Sequence, residues 1–183
     1  MIDVHFSCLR CGSCCRSLRT REHDYTLGLF LFPKEVEMLN QLGSARSLKL
    51  KIFPQQGTTT KKATLVDKPN KIFSYQLEDS TCPFLNEETN GCSIYDERPV
   101  ACRAFPILTP SPLGFIPDCT WVKSNIPTFS SSFPMSPDRN LDDEIRSASR
   151  IVNWNRKWCK TAKRFWTFDL QTKHWIAHSV PRF

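Results

Sequence analysis

Residues 8–15 read Cys8-Leu-Arg-Cys11-Gly-Ser-Cys14-Cys15, which places four thiols within eight residues of a chain that has nine cysteines. Cysteines at positions i, i+3 and i+6 with a glycine between them suit a loop that wraps around one centre. Thiolate is a soft ligand, and loops of this kind hold zinc or an iron–sulfur cluster. Ordinary core cysteines do not cluster in this way. The stretch therefore predicts a metal site.

A second group of cysteines lies in the segment 82–119, among turn residues and short apolar pieces. Asn90-Gly91 predicts a tight turn just before Cys92. Pro99 predicts the start of a short helix that carries Cys102 on its first turns. Cysteines carried on loops and short elements are a second feature typical of a metal-binding knuckle.

The chain of 183 residues is long enough for one domain with a real core, and 40% hydrophobic and 23% charged residues are typical of a soluble globular protein. No apolar run approaches the ~20 residues of a membrane span. The first residues carry no signal-like pattern, so a cytoplasmic location is expected. In a reducing cytosol, clustered thiols indicate metal rather than disulfides. The net charge of +7 is a weak argument for an acidic partner, because thiolates bound to metal would lower it.

Hydrophobic periodicity and turn residues predict a single α+β domain over residues 1–183. In it, an irregular cysteine-rich metal-binding knob packs with a small antiparallel sheet and a long C-terminal helix. Region 6–119 would bind metal, 120–140 would be a connecting loop, and 141–183 would form the long helix and a tail. The predicted elements are a helix at Pro33–Leu42 capped by Gly43, strands at Ser47–Phe53, Ala63–Val66 and Lys71–Leu77, a hairpin at Ile107–Ile116, the helix at Leu141–Trp166 and a last strand within Phe168–Ile176.

The predicted long helix has two faces of different character. Cys159 falls on its apolar face and is interpreted as a core thiol rather than a ligand. A basic stripe runs along the opposite face and contains Arg146, Arg150, Lys157, Lys160 and Arg164. Such a stripe could follow a phosphate backbone, but a solvated outer face is the better interpretation, because the tryptophans do not alternate with the basic residues. Binding to nucleic acid is expected to be weak and non-specific at most.

Three separated motifs occur in order along the chain. They are Cys8-x-x-Cys11-Gly-x-Cys14-Cys15, Cys82-Pro-Phe-Leu, and Gly91-Cys92-Ser-Ile-Tyr-Asp-x-Arg98-Pro-x-x-Cys102-Arg103-x-Phe-Pro. Together they resemble the CxxCxxCC family, also called YkgJ-type, which is described as a zinc- or iron-chelating domain. The resemblance covers roughly residues 6–119, and no motif is recognised beyond it. The best-known functional relative in that family is a flagellin lysine-N-methylase.

The resemblance implies eight metal-binding cysteines, which are Cys8, Cys11, Cys14, Cys15, Cys82, Cys92, Cys102 and Cys119. In one arrangement Cys8, Cys11 and Cys14 hold a [4Fe-4S] cluster together with a remote fourth cysteine. In the other, the eight thiolates divide into two tetrahedral zinc sites. Iron–sulfur is slightly favoured. Arg98 and Arg103 match the family motif and would either hydrogen-bond the cluster sulfurs or thiolates or form ordinary ion pairs, for instance from Arg98 to Asp96 or Glu97.

The predicted function is a cytoplasmic cysteine-cluster metal-binding protein in a redox, metal-handling or protein-modification role. A zinc-stabilised interaction module without catalysis is the alternative, and a lysine-N-methylase-like enzyme is a weaker third. The sequence assigns a catalytic role to none of these residues. The metal ion or cluster is the expected partner, a protein partner is possible, and no membrane is expected. The chain has no Gly-x-Gly or Walker-type loop, so an independent nucleotide-binding domain is not expected.

Overall fold

The structure is a computed structural model that describes residues 6, 8–22, 25–59, 69–126, 141–162 and 164–179. Its helices are α1 (Ser13–Arg16), α2 (Pro33–Ser44), α3 (Val100–Ala104), α4 (Thr120–Asn125) and α5 (Asp142–Thr161). Its strands are β1 (Thr20–Glu22), β2 (Tyr25–Leu27), β3 (Leu29–Leu31), β4 (Ile52–Thr58), β5 (Lys71–Leu77), β6 (Leu85–Asn86), β7 (Gly91–Cys92), β8 (Ile107–Pro110), β9 (Leu113–Phe115), β10 (Arg164–Phe168) and β11 (Trp175–Ser179). The fold is therefore α+β with a long C-terminal helix, which confirms the predicted class.

A five-stranded antiparallel sheet organises the fold, with the strand order β11-β10-β4-β5-β3. Its centre joins distant parts of the chain, since Phe165 of β10 pairs with Gly57 of β4. A Cβ at Gly57 would lie only 1.9 Å from Cε2 of Phe73. The close approach of the Phe73 ring therefore requires glycine at this position.

The strand predictions succeeded in part. β5 occupies Lys71–Leu77, as predicted, but β4 begins at Ile52 rather than at Ser47. Ser47 has a φ of 57° and lies in the turn after α2, so no strand can start there. The hairpin of β8 and β9 was also predicted. The strand predicted at 63–66 lies outside the described residues.

The prediction was wrong about where α5 ends. The helix stops at Thr161, and residues 164–166, which were assigned to it, pair with β4 instead. Hydrogen-bonded pairing with β4, a strand distant in sequence, outweighs the local helical pattern of these residues. Arg164 is consequently not part of the basic stripe. The expected last strand is also displaced, because residues 169–174 form the connection between β10 and β11.

Two smaller differences concern helix ends. α2 continues to Ser44, so Gly43 lies inside the helix and does not cap it. The segment 120–140 was assigned to a loop, but Thr120–Asn125 forms α4, and 127–140 lies outside the described residues. Among the described residues, no helix is long and apolar enough to cross a membrane.

Two hydrophobic clusters form the core of the part of the chain that the structure describes. The first, here called the helix cluster, is made of Ala104, Ile107, Phe115, Cys119, Trp121, Val122, Leu141 and Ala148. The second, here called the sheet cluster, is made of Leu18, Leu31, Leu39, Leu77, Phe84 and Ile94. α5 contributes to the helix cluster through Ala148 and reaches the sheet through Trp158, whose ring lies 4.5 Å from that of Phe73. A cavity lined by cysteines lies between the two clusters.

Candidate metal centre

One cavity of about 100 Å³ brings the two cysteine groups together. Its walls contain all eight predicted ligands, namely Cys8, Cys11, Cys14, Cys15, Cys82, Cys92, Cys102 and Cys119. Much of the remaining wall is apolar, with Trp121 and Phe105 on the side of the helix cluster and Leu39 and Phe84 on the side of the sheet cluster. Cys159, the ninth cysteine, does not line the cavity. Cys159 is part-buried and belongs to neither hydrophobic cluster.

Gly12 gives the first cysteine loop its shape. It precedes α1 with a φ of 72°, a left-handed conformation that glycine adopts readily. A Cβ there would lie 2.0 Å from Nη1 of Arg16. The Arg16 guanidinium in turn pairs with Glu87 at 3.0 Å and with the side-chain oxygen of Asn90. The loop is thus tied to the β6–β7 hairpin, which carries Cys92.

Backbone hydrogen bonds join the two cysteine groups directly. The amide of Cys82 donates to the carbonyl oxygen of Cys15 at 2.6 Å, and the amide of Leu18 donates to Ser80 at 2.9 Å. The residue at 82 therefore enters the cavity beside the end of the first loop. These contacts explain how cysteines nearly seventy residues apart in sequence reach one site.

The carboxylate of Glu35 positions the helix that carries Cys102. Its Oε1 accepts a hydrogen bond from the Val100 amide at 2.7 Å, and its Oε2 accepts one from the Phe32 amide at 2.8 Å. Glu35 thereby satisfies the first amide of α3 and also caps α2. Glu35 was not among the site residues predicted from the sequence. An acid three residues after the start of a helix was a visible signal for the α2 cap, but nothing local to it indicated the contact with α3.

Burial favours the neutral form of four of the eight cavity thiols. It raises the pKa of Cys82 to about 12 and also raises the pKa values of Cys92 and Cys119. The pKa of Cys102 is raised by burial and by the neighbouring thiols, first among them Cys82. Several thiolates in one apolar cavity repel each other, so cations are needed to keep them ionised together.

Two thiols of the first loop behave differently. Burial alone would raise the pKa of Cys11, but hydrogen bonds from the side chains and amides of Ser13 and Thr120 lower it to about 7. Ser13 begins α1 and Thr120 begins α4, so Cys11 lies where two helices start. The pKa of Cys15 is also lowered to about 7, mainly by a hydrogen bond from Cys14, whose own pKa rises. The sulfur atoms of this pair are 3.8 Å apart.

The cavity is not a preformed coordination sphere. Within the part of the chain that the structure describes, no group of three or more Cys, His, Asp or Glu side chains is arranged to hold one metal ion. The donor set is nevertheless the one that zinc and iron–sulfur centres use, since it consists of thiols with an apolar surround. The residues present therefore fit either kind of centre in their chemistry.

The two motif arginines have different positions. Arg98 lines the cysteine cavity, and its charge acts to lower the pKa values of Cys15, Cys92 and Cys102. Its Nε donates to the carbonyl oxygen of Tyr95 at 2.8 Å, and its guanidinium lies 3.6 Å from the centre of the Tyr95 ring. No ion pair from Arg98 to another described residue is present. Arg103 does not line the cavity and faces a separate groove.

An α+β domain with eight cysteines around one cavity defines a cysteine-cluster protein with a chelating type of donor set. A family model described as "CxxCxxCC: Putative zinc- or iron-chelating domain" matches residues 7–160, and the chain belongs to that family. The match extends well past Cys119, where the recognisable motifs end, and includes nearly all of α5. Comparison with curated proteins gave no match, and comparison with solved structures gave none either.

Proposed function

We propose that the cysteine cavity holds an iron–sulfur cluster and that the protein is a cytoplasmic metal-binding protein in a redox, metal-handling or protein-modification role. The observation that carries this proposal is the gathering of all eight family-type cysteines around one cavity. The family description supports chelation of zinc or iron. That description names neither an iron–sulfur cluster nor a role nor a location, so these three points are part of our proposal.

The size of the cavity favours a centre with several metal atoms. A single water needs about 10–15 Å³ of cavity volume, whereas this cavity has about 100 Å³. A single tetrahedral zinc ion uses four thiolates and would leave half of the cavity thiols without metal. Two separate zinc sites would require the one cavity to be divided. A [4Fe-4S] cluster also takes four thiolate ligands, but its iron and sulfide atoms fill more of the cavity than one zinc ion does.

The residues that would hold the cluster are Cys8, Cys11 and Cys14, with a fourth ligand from the 82–119 group. Their spacing with one remote cysteine is a familiar iron–sulfur pattern. Cys15 lies against both Cys14 and the backbone of Cys82 and would contact the centre from the side. Arg98 would offset the negative charge of the thiolates. When bound, a cluster of this kind supplies one-electron transfer.

Anaerobic purification followed by analysis of iron, acid-labile sulfide and zinc tests the proposal. We expect iron and sulfide in comparable amounts, with broad visible absorption and a brown colour. Stoichiometric colourless zinc without sulfide would contradict it and would support the alternative, a zinc-stabilised interaction module. Zinc added back to a chelated sample serves as the control, since it shows what the cavity binds when iron is absent.

A further inference from the structure

We propose that a groove beside the cysteine cavity binds a small phosphorylated molecule that carries a flat apolar ring. We call it the basic groove, and it has a volume of about 850 Å³. Three parts of the chain line it: the first turns of α2, the helix α3 together with the turn that precedes it, and the middle of α5. Small-molecule sites typically have volumes of about 300–1,000 Å³. The proposal concerns a second site and does not depend on which metal the cysteine cavity holds.

The charge of the basic groove favours an anion. Five basic side chains line it, from Lys34, Arg98, Arg103, Arg150 and Lys157, against the three carboxylates of Glu35, Asp96 and Glu97. Both oxygens of Glu35 already accept backbone hydrogen bonds. Within the described ranges, no carboxylate lies within 4 Å of the charged groups of Arg103, Arg150 or Lys157. Three cations on two neighbouring helices are thus available to a ligand.

Arginine is suited to phosphate in particular. Its planar guanidinium donates two parallel hydrogen bonds to a pair of phosphate oxygens, a geometry that lysine cannot provide. Arg103 on α3 and Arg150 on α5 stand on different helices that pack against each other. A phosphate between them could therefore be held from two sides, with Lys157 adding a third charge.

The apolar part of the basic groove favours a ring. The Phe32 and Trp154 rings meet edge to face, with centroids 5.2 Å apart, and Met38 and Val100 also line the groove. The Arg150 guanidinium lies 5.6 Å from the centre of the Phe32 ring. Guanidinium and aromatic surface therefore lie side by side. A ligand with a phosphate next to a flat ring matches both at once.

The positions of the basic residues argue against a nucleic-acid backbone as the ligand of the groove. A backbone needs a continuous run of basic groups. Here Arg164 belongs to β10, and Arg146 already pairs with Asp143 at 3.0 Å. Of the remaining stripe residues, Arg150 and Lys157 line the groove, where they face Arg103 of another helix instead of continuing a run along α5. Since Arg98 lines both the groove and the cysteine cavity, a bound ligand would lie next to the candidate metal centre.

Calorimetric titration with phenyl phosphate tests the proposal on the full chain as purified. We expect a Kd of about 1 mM, with inorganic phosphate and phenol each binding at least tenfold more weakly, since each offers half of the contacts. Arg150→Gln and Arg103→Gln should each weaken binding about tenfold or more, because a charge-assisted hydrogen bond is lost. Arg156→Gln is the matched control, since Arg156 is an exposed arginine of α5 outside the groove.

Three outcomes would overturn the proposal. They are no binding of phenyl phosphate, equal binding of phenol or inorganic phosphate, and affinity unchanged by Arg150→Gln. A single-stranded oligonucleotide that binds through Arg150 at moderate salt, where phenyl phosphate does not, would replace the proposed ligand with nucleic acid. Circular dichroism verifies that each variant is folded. Metal content measured on the same samples separates this result from that of the cysteine cavity.

Discussion

The carboxylate of Asp169 joins two hairpins that are far apart in sequence. Its Oδ1 accepts hydrogen bonds from the amides of Thr26 and Gln171 at 2.7 and 3.3 Å, and its Oδ2 accepts from the amide and hydroxyl of Thr172. Burial by itself would raise the pKa of Asp169, but these donors more than compensate and lower it to about 2. The ionised form is therefore the one that stabilises the fold.

The variant Asp169→Asn should reduce the free energy of unfolding by roughly 1–3 kcal/mol at neutral pH, because an amide group faces a donor there. The folded pKa lies below the ordinary value of 3.8. The contribution is consequently complete above about pH 4 and is lost as the pH falls towards 2. Urea titrations at pH 6 and at pH 2.5 measure this. A difference between the two proteins that stays constant down to pH 2.5 would disprove the role of the charge.

Arg98 and Arg103 form a matched pair, since both belong to the motif but only Arg98 lines the cysteine cavity. If a cluster is present, Arg98→Gln should lower its reduction potential, because a nearby positive charge stabilises the more negative, reduced state. Arg103→Gln should change the potential much less. Protein-film voltammetry compares the two. Equal shifts for both variants would mean that the charge of Arg98 does not act on the centre.

At the scale of elements, Glu35 links α2 to α3. Glu35→Gln keeps one carbonyl oxygen but replaces the other with a donor, so one of the two capped amides loses its partner. We expect the free energy of unfolding to fall by roughly 1–2 kcal/mol. Glu37→Gln is the control, since Glu37 is exposed on the same helix and should change stability by less than about 0.5 kcal/mol. Chemical denaturation of the wild-type protein and the two variants measures these differences in free energy. Equal effects of both substitutions would exclude a capping role for Glu35.

The elements differ in how far their sequence determined them. β5 and the β8–β9 hairpin were predictable, because alternation and turn residues define them locally. The end of α5 was not, since Arg164–Trp166 continues a helical pattern and becomes a strand only through pairing with Gln56–Thr58. The start of β4 was also misplaced, because the φ of Ser47 is a property of its turn. A contact between distant residues therefore decided the end of α5, and a local turn conformation decided the start of β4.

The candidate site shows the same division. Its cysteines could be identified from spacing and from the family motif, and all eight meet at one cavity. The basic groove could not be foreseen, because Phe32, Arg103 and Arg150 come from three elements that only the fold brings together. The cysteines of the site could thus be recognised from the sequence, whereas the residues that position them, such as Glu35, could not.

At the scale of the whole molecule, the cysteine cavity lies between the two hydrophobic clusters and should couple them. Removal of metal by a chelator should lower the thermal midpoint, because metal binding to the native state is linked to folding. Amide hydrogen exchange should rise together in residues 8–18 and 80–104, which share backbone hydrogen bonds. Exchange in β4 and β5 should change less. Independent responses of the two segments would contradict coupling through one centre.

Two serine variants provide the matched test. Cys102→Ser should lower both metal content and stability, whereas Cys159→Ser should leave metal content unchanged, since Cys159 lies away from the cavity. Elemental analysis with thermal unfolding compares them. Full metal occupancy in the Cys102→Ser protein would show that the two cysteine groups do not share a site.

The order of the sheet has a consequence for how the protein is made. β4 lies between β5 and β10, so its pairing is finished only after residues beyond 164 have left the ribosome. All eight cavity cysteines have been synthesised by residue 119. At about 5–20 residues per second, translation from Cys119 to Phe168, where β10 ends, takes roughly 2–10 s. During that interval a nascent chain presents the thiols before the strand that completes the sheet exists, so metal could be captured while translation continues.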